Sequence, residues 1–309
     1  MKNIILLLLL ISSHCGAKVL LMTHSFNRPD FIELQAKTFK AFIQDSYEYV
    51  VFNDASNEDM KNQIEQTCKK LGVRCFRVPQ NLHVPGRQSP GDRHIHGIAY
   101  ALQQIGYEYD GIVTLIDSDC FLLKPFSIEK HLAGYDISGE LQGRENDTVK
   151  IRHLSPVLVF MNMQKLPNKQ TLSFEGGFIS GLACDVGAHT YYYLKNNPSV
   201  RALYFTLSFI PAIKLALNCV TCKNLSCNEC SRYLQSSGFD STLIRFIQSC
   251  PDDNMEFVLN NTFLHYRCGS NWNNKPAAYH IAKGKALNDL ITDLLYDHYY
   301  HLHALQGVI

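Results

Sequence analysis

Hydrophobic positions in the first 126 residues follow two spacings in turn. Continuous apolar runs between polar residues are typical of buried strands, and apolar residues three and four apart are typical of amphipathic helices. The apolar runs predict strands over 18–23, 49–52, 73–78 and 111–116. The helical spacings predict helices over 31–44, 57–71 and 93–105. This alternation with short connections predicts an α/β fold, with a mainly parallel sheet flanked by helices on both faces.

The remainder of the chain has a less regular pattern and contains neither an internal repeat nor a low-complexity linker. At about 100–200 residues per domain, the length allows one large domain or two modest ones. We expect a single domain over 18–309, with a regular half over 18–126 and a less regular half over 127–309.

Residues 1–17 have the pattern of a secretory signal peptide. Lys2 precedes an apolar stretch over 4–11, and small residues follow at Cys15-Gly16-Ala17. The stretch is shorter than the roughly 20 residues that span a bilayer, so no transmembrane segment is predicted. An uncleaved, buried first strand is the alternative. Cleavage after Ala17 would place the mature chain outside the cell, in a periplasm or in an endomembrane lumen.

Composition excludes two classes of protein. With 46% hydrophobic residues, 17 Phe and 16 Tyr, the chain is too apolar for an intrinsically disordered protein. Its 29 basic and 28 acidic residues give a net charge of +1, without a basic run. A nucleic-acid-binding protein is therefore not predicted, because such proteins depend on concentrated positive charge.

An acidic pair directly follows the fourth predicted strand. Ligands of parallel sheets bind beyond the carboxyl ends of the strands, where Asp117 and Asp119 lie. Residues two apart at a strand end project to the same side, so both carboxylates can meet one divalent cation. Such a cation with open coordination positions can hold a diphosphate.

At these residues the sequence resembles the metal-dependent glycosyltransferases of the GT-A fold. The stretch from Ile116 to Phe126 looks like the Asp-x-Asp strand of that family and its continuation. Asn53-Asp54-Ala55-Ser56 is similar to the strand end at which such enzymes hold uracil or ribose. His265 to Trp272 looks like the carboxyl-terminal histidine motif that completes the metal site in glycogenin-like members.

The resemblance implies a role for each matching residue. Asp119 and His265 would bind the metal, and Asp117 would contact the metal or the ribose. A histidine ligand favours Mn2+ over Mg2+. The residues implied to face the nucleotide sugar are Asn27, Arg28, Asp54, Arg93 and Asp117. Each role has an ordinary alternative. Asp54 could be a turn residue, Arg28 and Arg93 could be surface residues that aid solubility, and His265 could be a hydrogen-bonded histidine of the core.

The implied activity is transfer of a hexosyl or related group from a nucleotide-sugar donor, UDP-linked, to a hydroxyl of a glycan, protein or lipid. The half over 18–126 would bind the donor and the half over 127–309 the acceptor. Acid–base chemistry needs a carboxylate on the acceptor side. Asp185 is the preferred candidate, because Gly187 allows a close approach of a ligand, and Glu175 is the second. For both carboxylates, the alternative is an ordinary residue that caps a helix or forms a turn.

A cysteine-rich insertion over 219–230 contains two Cys-x-x-Cys elements. Cys219, Cys222, Cys227 and Cys230 have the pairing that suits structural Zn2+, although the four-residue separation is short for a zinc ribbon. Export favours two disulfides instead. Either would stabilise the insertion.

Two further functions stay open from the sequence. A secreted GT-A-like binding module would keep the fold without the chemistry. A nucleotidyltransferase also uses paired carboxylates, but it would be expected to carry a glycine-rich loop after the first strand. The segment from His24 to Pro29 has no glycine.

Overall fold

The computed structural model describes residues 19–83, 89–146, 148–210, 212–213, 228–250, 254–269 and 276–305. Its strands are β1 (Val19–Ser25), β2 (Tyr47–Asn53), β3 (Arg74–Arg77), β4 (Ile112–Ile116), β5 (Cys120–Leu122), β6 (Ile137–Glu145), β7 (Lys150–Asn162), β8 (Gly177–Ile179), β9 (Leu182–Cys184), β10 (Ala202–Phe205), β11 (Leu207–Phe209), β12 (Glu256–Val258) and β13 (Phe263–His265). Its helices are α1 (Pro29–Phe42), α2 (Glu58–Leu71), α3 (Pro90–Ala101), α4 (Ile128–His131), α5 (Thr190–Asn196), α6 (Asn228–Ser236), α7 (Ser241–Ser249) and α8 (Ala277–Leu305).

The central sheet has seven strands in the order β10-β6-β7-β4-β1-β2-β3. β7 runs antiparallel to both of its neighbours, and the other pairings are parallel. The predicted α/β class with a mainly parallel sheet is confirmed. β2 and β4 lie on opposite sides of β1, so the strand order reverses between β1 and β4. This reversal opens a crevice at the carboxyl ends of these two strands.

Helices cover both faces of this sheet, which explains why its strands read as continuous apolar runs. Leu21 and Val51 belong to the core on one face, whereas Leu20 and Val50 belong to the core on the other. Successive side chains of a strand point to opposite faces, so both sets must be apolar when both faces are covered.

The predicted helices differ from the observed ones mainly at their ends. Asn57 caps α2 by accepting a hydrogen bond from the Met60 amide, and the helix stops at Gly72, whose φ is +68°. The third helix begins earlier than predicted, at Pro90, because Ser89 caps it by accepting from the Asp92 amide. Its end widens into a π-type turn over Leu102–Gly106.

A smaller antiparallel sheet, β11-β12-β13-β5, adjoins the carboxyl end of β4. Three residues, 117–119, connect β4 to β5, so the acidic pair lies at the junction of the two sheets. The long helix α8 packs against α1 and α7 and adds Leu287, Leu290 and Ile291 to the larger core. No helix within the described ranges is long and apolar enough to span a membrane.

Candidate active site

The turn that carries the acidic pair is anchored from beneath by a buried glutamine. Gln35 of α1 is fully buried, and its Nε2 donates to the carbonyl oxygens of Asp117 (2.7 Å) and Cys120 (2.9 Å). Its Oε1 accepts from the hydroxyls of Thr23 (3.2 Å) and Tyr49 (2.8 Å). These bonds hold the turn in one conformation, so both carboxylates are positioned before a ligand arrives.

Strand pairing brings His265 to the same turn. β13 runs antiparallel to β5 and places His265 opposite Cys120, next to Asp119. The Tyr266 amide donates to the Asp119 carbonyl oxygen at 2.8 Å. His265 Nε2 consequently lies 3.3 Å from Asp119 Oδ1 and 3.8 Å from Asp117 Oδ2. The structure therefore joins three residues that are up to 148 positions apart in the sequence.

The second nitrogen of His265 is held by Glu256 on the neighbouring strand. Glu256 lies opposite His265 in the β12–β13 pair, and its Oε1 is 2.6 Å from His265 Nδ1. Burial lowers the pKa of His265, but the charge and hydrogen bond of Asp119, the hydrogen bond of Glu256 and the charge of Asp117 together outweigh burial and raise that pKa well above its usual value. Burial likewise raises the pKa of Asp119, but the charge and hydrogen bond of His265, the Gly269 amide and the charge of Lys283 together outweigh burial and lower that pKa.

Asp117, Asp119 and His265 can hold a divalent cation. One ligand atom from each lies within 4.8 Å of the others. Two carboxylates with one imidazole suit Mn2+, whereas Mg2+ prefers oxygen alone. Three protein ligands also leave coordination positions for a diphosphate. The side chains that the structure describes here thus fit the predicted metal.

The turn after β13 closes over Asp119. The Gly269 amide donates to Asp119 Oδ2 at 2.9 Å, and the Gly269 carbonyl accepts a hydrogen bond from Arg28. A Cβ at Gly269 would lie 2.4 Å from Cε2 of Phe31 and 2.9 Å from the Cβ of Asp119. Only glycine fits this position.

A cleft of about 950 Å³, which includes space open to solvent, adjoins the candidate metal site. Its lining includes Asp117 and His265, residues of β6, β7 and β11, and side chains from other segments. The exposed ring of Phe209 also lines the cleft, with the Arg267 guanidinium 5.3 Å from its centre. The cleft can hold a ligand in contact with a cation bound by the cluster.

The predicted donor-facing residues are positioned differently from one another. Asp54 is fully buried, and its carboxylate pairs with His24, His83 and Arg93 at 2.7–3.1 Å. Burial raises the pKa of Asp54, but His24, Gln80 and His83 together outweigh burial and lower it to about 2. Asp54 and Arg93 therefore form an internal network beneath the crevice.

Arg28 and Asn27 lie after β1, at the edge of the same crevice. Arg28 is buried, binds Asp30 and Gly269, and stacks over the Phe31 ring at 3.3 Å. Asn27 has a φ of +56° and exchanges two hydrogen bonds of 2.9 Å with Ser56. The Asn27–Ser56 pair joins the ends of β1 and β2 at the surface.

The α3 side chain nearest the acidic pair is His94, which follows Arg93. His94 Nε2 lies 2.9 Å from Asp117 Oδ1, and the His94 ring stacks on His24 at 5.5 Å. Burial lowers the pKa of His94, but the charge and hydrogen bond of Asp117 and the charge of Asp119 together outweigh burial and raise that pKa. His94 also lines the cleft and is therefore better placed than Arg93 to contact a sugar or a diphosphate.

The two candidate carboxylates of the acceptor half differ in their position relative to the cleft. Asp185 is exposed, lines the cleft, and accepts a hydrogen bond from the Val186 amide at 2.8 Å. Glu175 pairs with His189 at 3.0 Å and does not line the cleft. The close approach at Gly187, whose φ is +95°, is to the chain itself, because a Cβ there would lie 1.9 Å from the Leu154 carbonyl oxygen.

Solved structures with similar folds are glycosyltransferases. They include the mannosyltransferase PcManGT from Pyrobaculum calidifontis in complex with GDP-Man and Mn2+, with a TM-score of 0.40 and 16% identity over 61% of this chain and 54% of that chain. Glucosyl-3-phosphoglycerate synthase from Mycobacterium tuberculosis, in complex with phosphoglyceric acid, has a TM-score of 0.36 and 16% identity over 61% and 69%. Core-mannan synthase A from Aspergillus fumigatus, in an Mn/GDP form, has a TM-score of 0.34 and 9% identity over 50% and 62%.

These likenesses are partial. The chain spans about half of the mannosyltransferase. No protein-family model matches the chain, and no curated protein does.

The segments predicted to carry the cysteine site and the export signal lie outside the described residues. These are residues 1–18, Cys219, Cys222, Cys227 and the side chain of Cys230. Structural zinc, disulfides and export therefore stay predictions.

Four side chains at the site do not belong to any predicted motif: Gln35, His94, Glu140 and Glu256. Gln35 had a signal in the sequence, because it is a polar residue on the apolar face of α1, between Leu34 and Phe39. Glu256 follows Met255, after the three polar residues over 252–254, and carries no comparable signal. Its partnership with His265 depends on strand register, which the sequence pattern did not provide.

Proposed function

We propose that this protein is a glycosyltransferase that moves a sugar from a nucleotide-sugar donor to a hydroxyl acceptor with a divalent cation, Mn2+. The observation that carries the proposal is the cluster of Asp117, Asp119 and His265. It lies at the carboxyl end of β4, beside the point where the strand order reverses, and it opens on a cleft. A diphosphate bound to the cluster would place the attached sugar in that cleft.

Each residue of the cluster has a distinct task in this proposal. Asp117 and Asp119 supply negatively charged oxygens, and His265 supplies Nε2. When bound, the cation acts as a Lewis acid that stabilises the negative charge of the departing diphosphate. Glu256 and Gln35 keep the ligands oriented, through His265 Nδ1 and the backbone of the acidic turn. This preorganisation is a main source of electrostatic stabilisation in enzymes.

We propose UDP as the nucleoside diphosphate of the donor, with GDP as the second candidate. The ends of β1 and β2, beside the crevice, are where the resemblance implies a nucleoside. The half-buried Asn27 and the exposed Ser56 supply amide and hydroxyl groups there. We also propose that the chain enters the secretory route, on the pattern of residues 1–17.

Calorimetric titration of residues 18–309 with UDP and with GDP tests this proposal. Each nucleotide is titrated with Mn2+ present and with a chelator, on the wild-type protein and on Asp119→Asn. We expect Mn2+-dependent binding of one nucleotide and its loss in Asp119→Asn. Asp289→Asn is the matched control, because Asp289 pairs with Lys285 on the surface of α8, away from the cleft.

Folded wild-type protein that binds neither nucleotide under any condition would contradict the proposal and favour a non-catalytic binding module. Pyrophosphate release from a nucleoside triphosphate and a sugar phosphate would instead indicate a nucleotidyltransferase. Hydrolysis of the matching nucleotide sugar, with retention of the nucleotide-binding behaviour, would support glycosyl transfer.

A further inference from the structure

Glu140 is a buried carboxylate with an unused oxygen. It lies on β6, directly after the irregularity at Gly139 and opposite Ser155 of β7, and it is 5% exposed. Its Oε2 has no hydrogen-bond partner among the described residues. An unsatisfied buried polar atom destabilises a fold, and does so more strongly when it is charged. Such an atom at the wall of a cleft indicates a partner that arrives with a ligand.

Glu140 lines the same cleft as Asp117 and His265. Burial raises the pKa of Glu140, and the negative charge of Glu256 acts in the same direction. Ser155, Gln142 and the charge of His265 act against this increase. A carboxylate with a raised pKa is a stronger base than one in water, and a base works best when its pKa approaches the ambient pH.

The other carboxylates near the cleft are bound to protein partners, exposed to solvent or located outside the cleft. Glu256 is bound to His265 Nδ1 through one oxygen and to Arg267 through the other. Asp185 is exposed and accepts from the Val186 amide. Glu175 pairs with His189 outside the cleft. Among the described acidic residues of the cleft wall, Glu140 combines burial with an unpaired oxygen.

We propose that Glu140 is the catalytic base that accepts the proton of the acceptor hydroxyl. This inference rests on the proposed glycosyl transfer. The acceptor oxygen forms a bond to the anomeric carbon as its proton passes to Glu140, while the bond from that carbon to the diphosphate oxygen breaks. The electron pair leaves with the nucleoside diphosphate. A single displacement of this kind inverts the configuration of the anomeric carbon.

Glu140→Gln tests the assignment, because the amide keeps the size of the side chain and removes the base. The probe is the nucleotide sugar that the wild-type protein hydrolyses, chosen among UDP-glucose, UDP-galactose and GDP-mannose, with water as acceptor. We expect turnover to fall about 100- to 10,000-fold. The affinity for the nucleoside diphosphate in the presence of Mn2+ should change less than about twofold, since Glu140 does not belong to the metal cluster. Glu175→Gln is the control that should leave both unchanged.

A second variant separates a base from a structural residue. Azide is a nucleophile that has no proton to lose, so it should restore turnover of Glu140→Ala and yield the glycosyl azide. Nuclear magnetic resonance of the wild-type product should show inverted anomeric configuration. Loss of a residue that only supports the fold would not be rescued by azide.

The failure of this assignment differs from the failure of the proposed function. Wild-type turnover in Glu140→Gln, a retained anomeric configuration, or loss of activity in Asp185→Asn alone would overturn the role of Glu140 while leaving glycosyl transfer intact. Loss of nucleotide affinity in Glu140→Gln would also overturn it, because the residue would then belong to the donor site. Absence of Mn2+-dependent nucleotide binding in the wild-type protein would overturn the proposed function itself.

Discussion

Glu256 determines which nitrogen of His265 faces the two aspartates. Its Oε1 is bound to Nδ1, which leaves Nε2 directed at Asp119. A carboxylate behind a metal-ligating histidine fixes the tautomer and the orientation of the ring and makes it a better ligand. A single buried glutamate therefore prepares the histidine for a cation.

We expect Glu256→Gln to weaken Mn2+ binding about 10- to 100-fold, because the amide retains the shape of the side chain but not its charge. Calorimetric titration of the nucleotide-free protein with Mn2+ measures this change. Glu175→Gln removes a carboxylate that pairs with His189 outside the cleft, so it should bind Mn2+ as the wild-type protein does. Equal Mn2+ affinity in Glu256→Gln and the wild-type protein would show that Glu256 does not support the ligand.

Protonation of His265 links cation binding to pH. The pKa of His265 is raised by Asp119 in the cation-free protein, so the imidazole carries a proton at neutral pH. A metal needs the neutral ring, so binding releases this proton. The affinity for Mn2+ should therefore rise about tenfold per pH unit as the pH increases toward the raised pKa of His265.

Titrations between pH 6 and pH 8 in buffers of different ionisation enthalpy measure both the affinity and the number of protons released. We expect close to one proton per cation. A Mn2+ affinity of the wild-type protein that stayed constant over that range, or fell as the pH increased, would contradict this prediction.

At the scale of elements, the approach of α3 to β1 depends on one glycine. A Cβ at Gly97 would lie 2.0 Å from Cδ2 of His24, so the helix can contact this strand only where the side chain is absent. His24 binds Asp54 at 3.1 Å and stacks on His94. The same contact thus sets the position of the histidine that lies beside Asp117.

Gly97→Ala should lower the free energy of unfolding by about 1–3 kcal/mol, because the methyl group forces α3 and His24 apart. Gly284→Ala in α8 is the matched control. Its added Cβ would meet no atom closer than 4.0 Å, so alanine should stabilise that helix by up to about 1 kcal/mol. Urea unfolding of the two variants measures both effects, and an equal response in the two would contradict the packing argument.

At the scale of the whole molecule, the candidate metal site joins two separate sheets. Asp117 and Asp119 follow a strand of the central sheet, whereas His265 ends a strand of the smaller sheet. Arg28 adds a second connection, from the end of β1 to the turn at Gly269. A bound cation would therefore hold together parts of the fold that unfolding separates.

Mn2+ at about 100 times its dissociation constant should stabilise the protein by about 2.7 kcal/mol, provided that the unfolded chain does not bind it. For a chain of this size the unfolding midpoint should rise by about 5 °C. Scanning calorimetry with Mn2+ and with a chelator measures the shift, which Asp119→Asn should abolish and Asp289→Asn should preserve. An unchanged midpoint in the wild-type protein at that Mn2+ concentration would contradict a site that links the sheets.

The fold class and the acidic pair were predictable because they depend on local signals. The alternation of apolar runs and helical spacings in the first half determines a parallel sheet, since strands covered on both faces must be apolar throughout. Asp117 and Asp119 could be recognised from their place after β4. His265 could be recognised from a resemblance to a family motif, although nothing in its own surroundings shows that it contacts Asp119.

Tertiary structure decided which polar residues face the cleft. Asp54 and Arg93 follow strand and helix boundaries as donor-binding residues would, yet they bind each other beneath the crevice, and the adjacent His94 lines the cleft instead. Glu140 and Glu256 acquire their positions from the β6–β7 and β12–β13 registers. Register arises from the packing of whole strands, and a shift of one residue turns every side chain to the opposite face. The sequence by itself therefore determined the sheet and its acidic turn, and only the folded chain determined which carboxylates can act there.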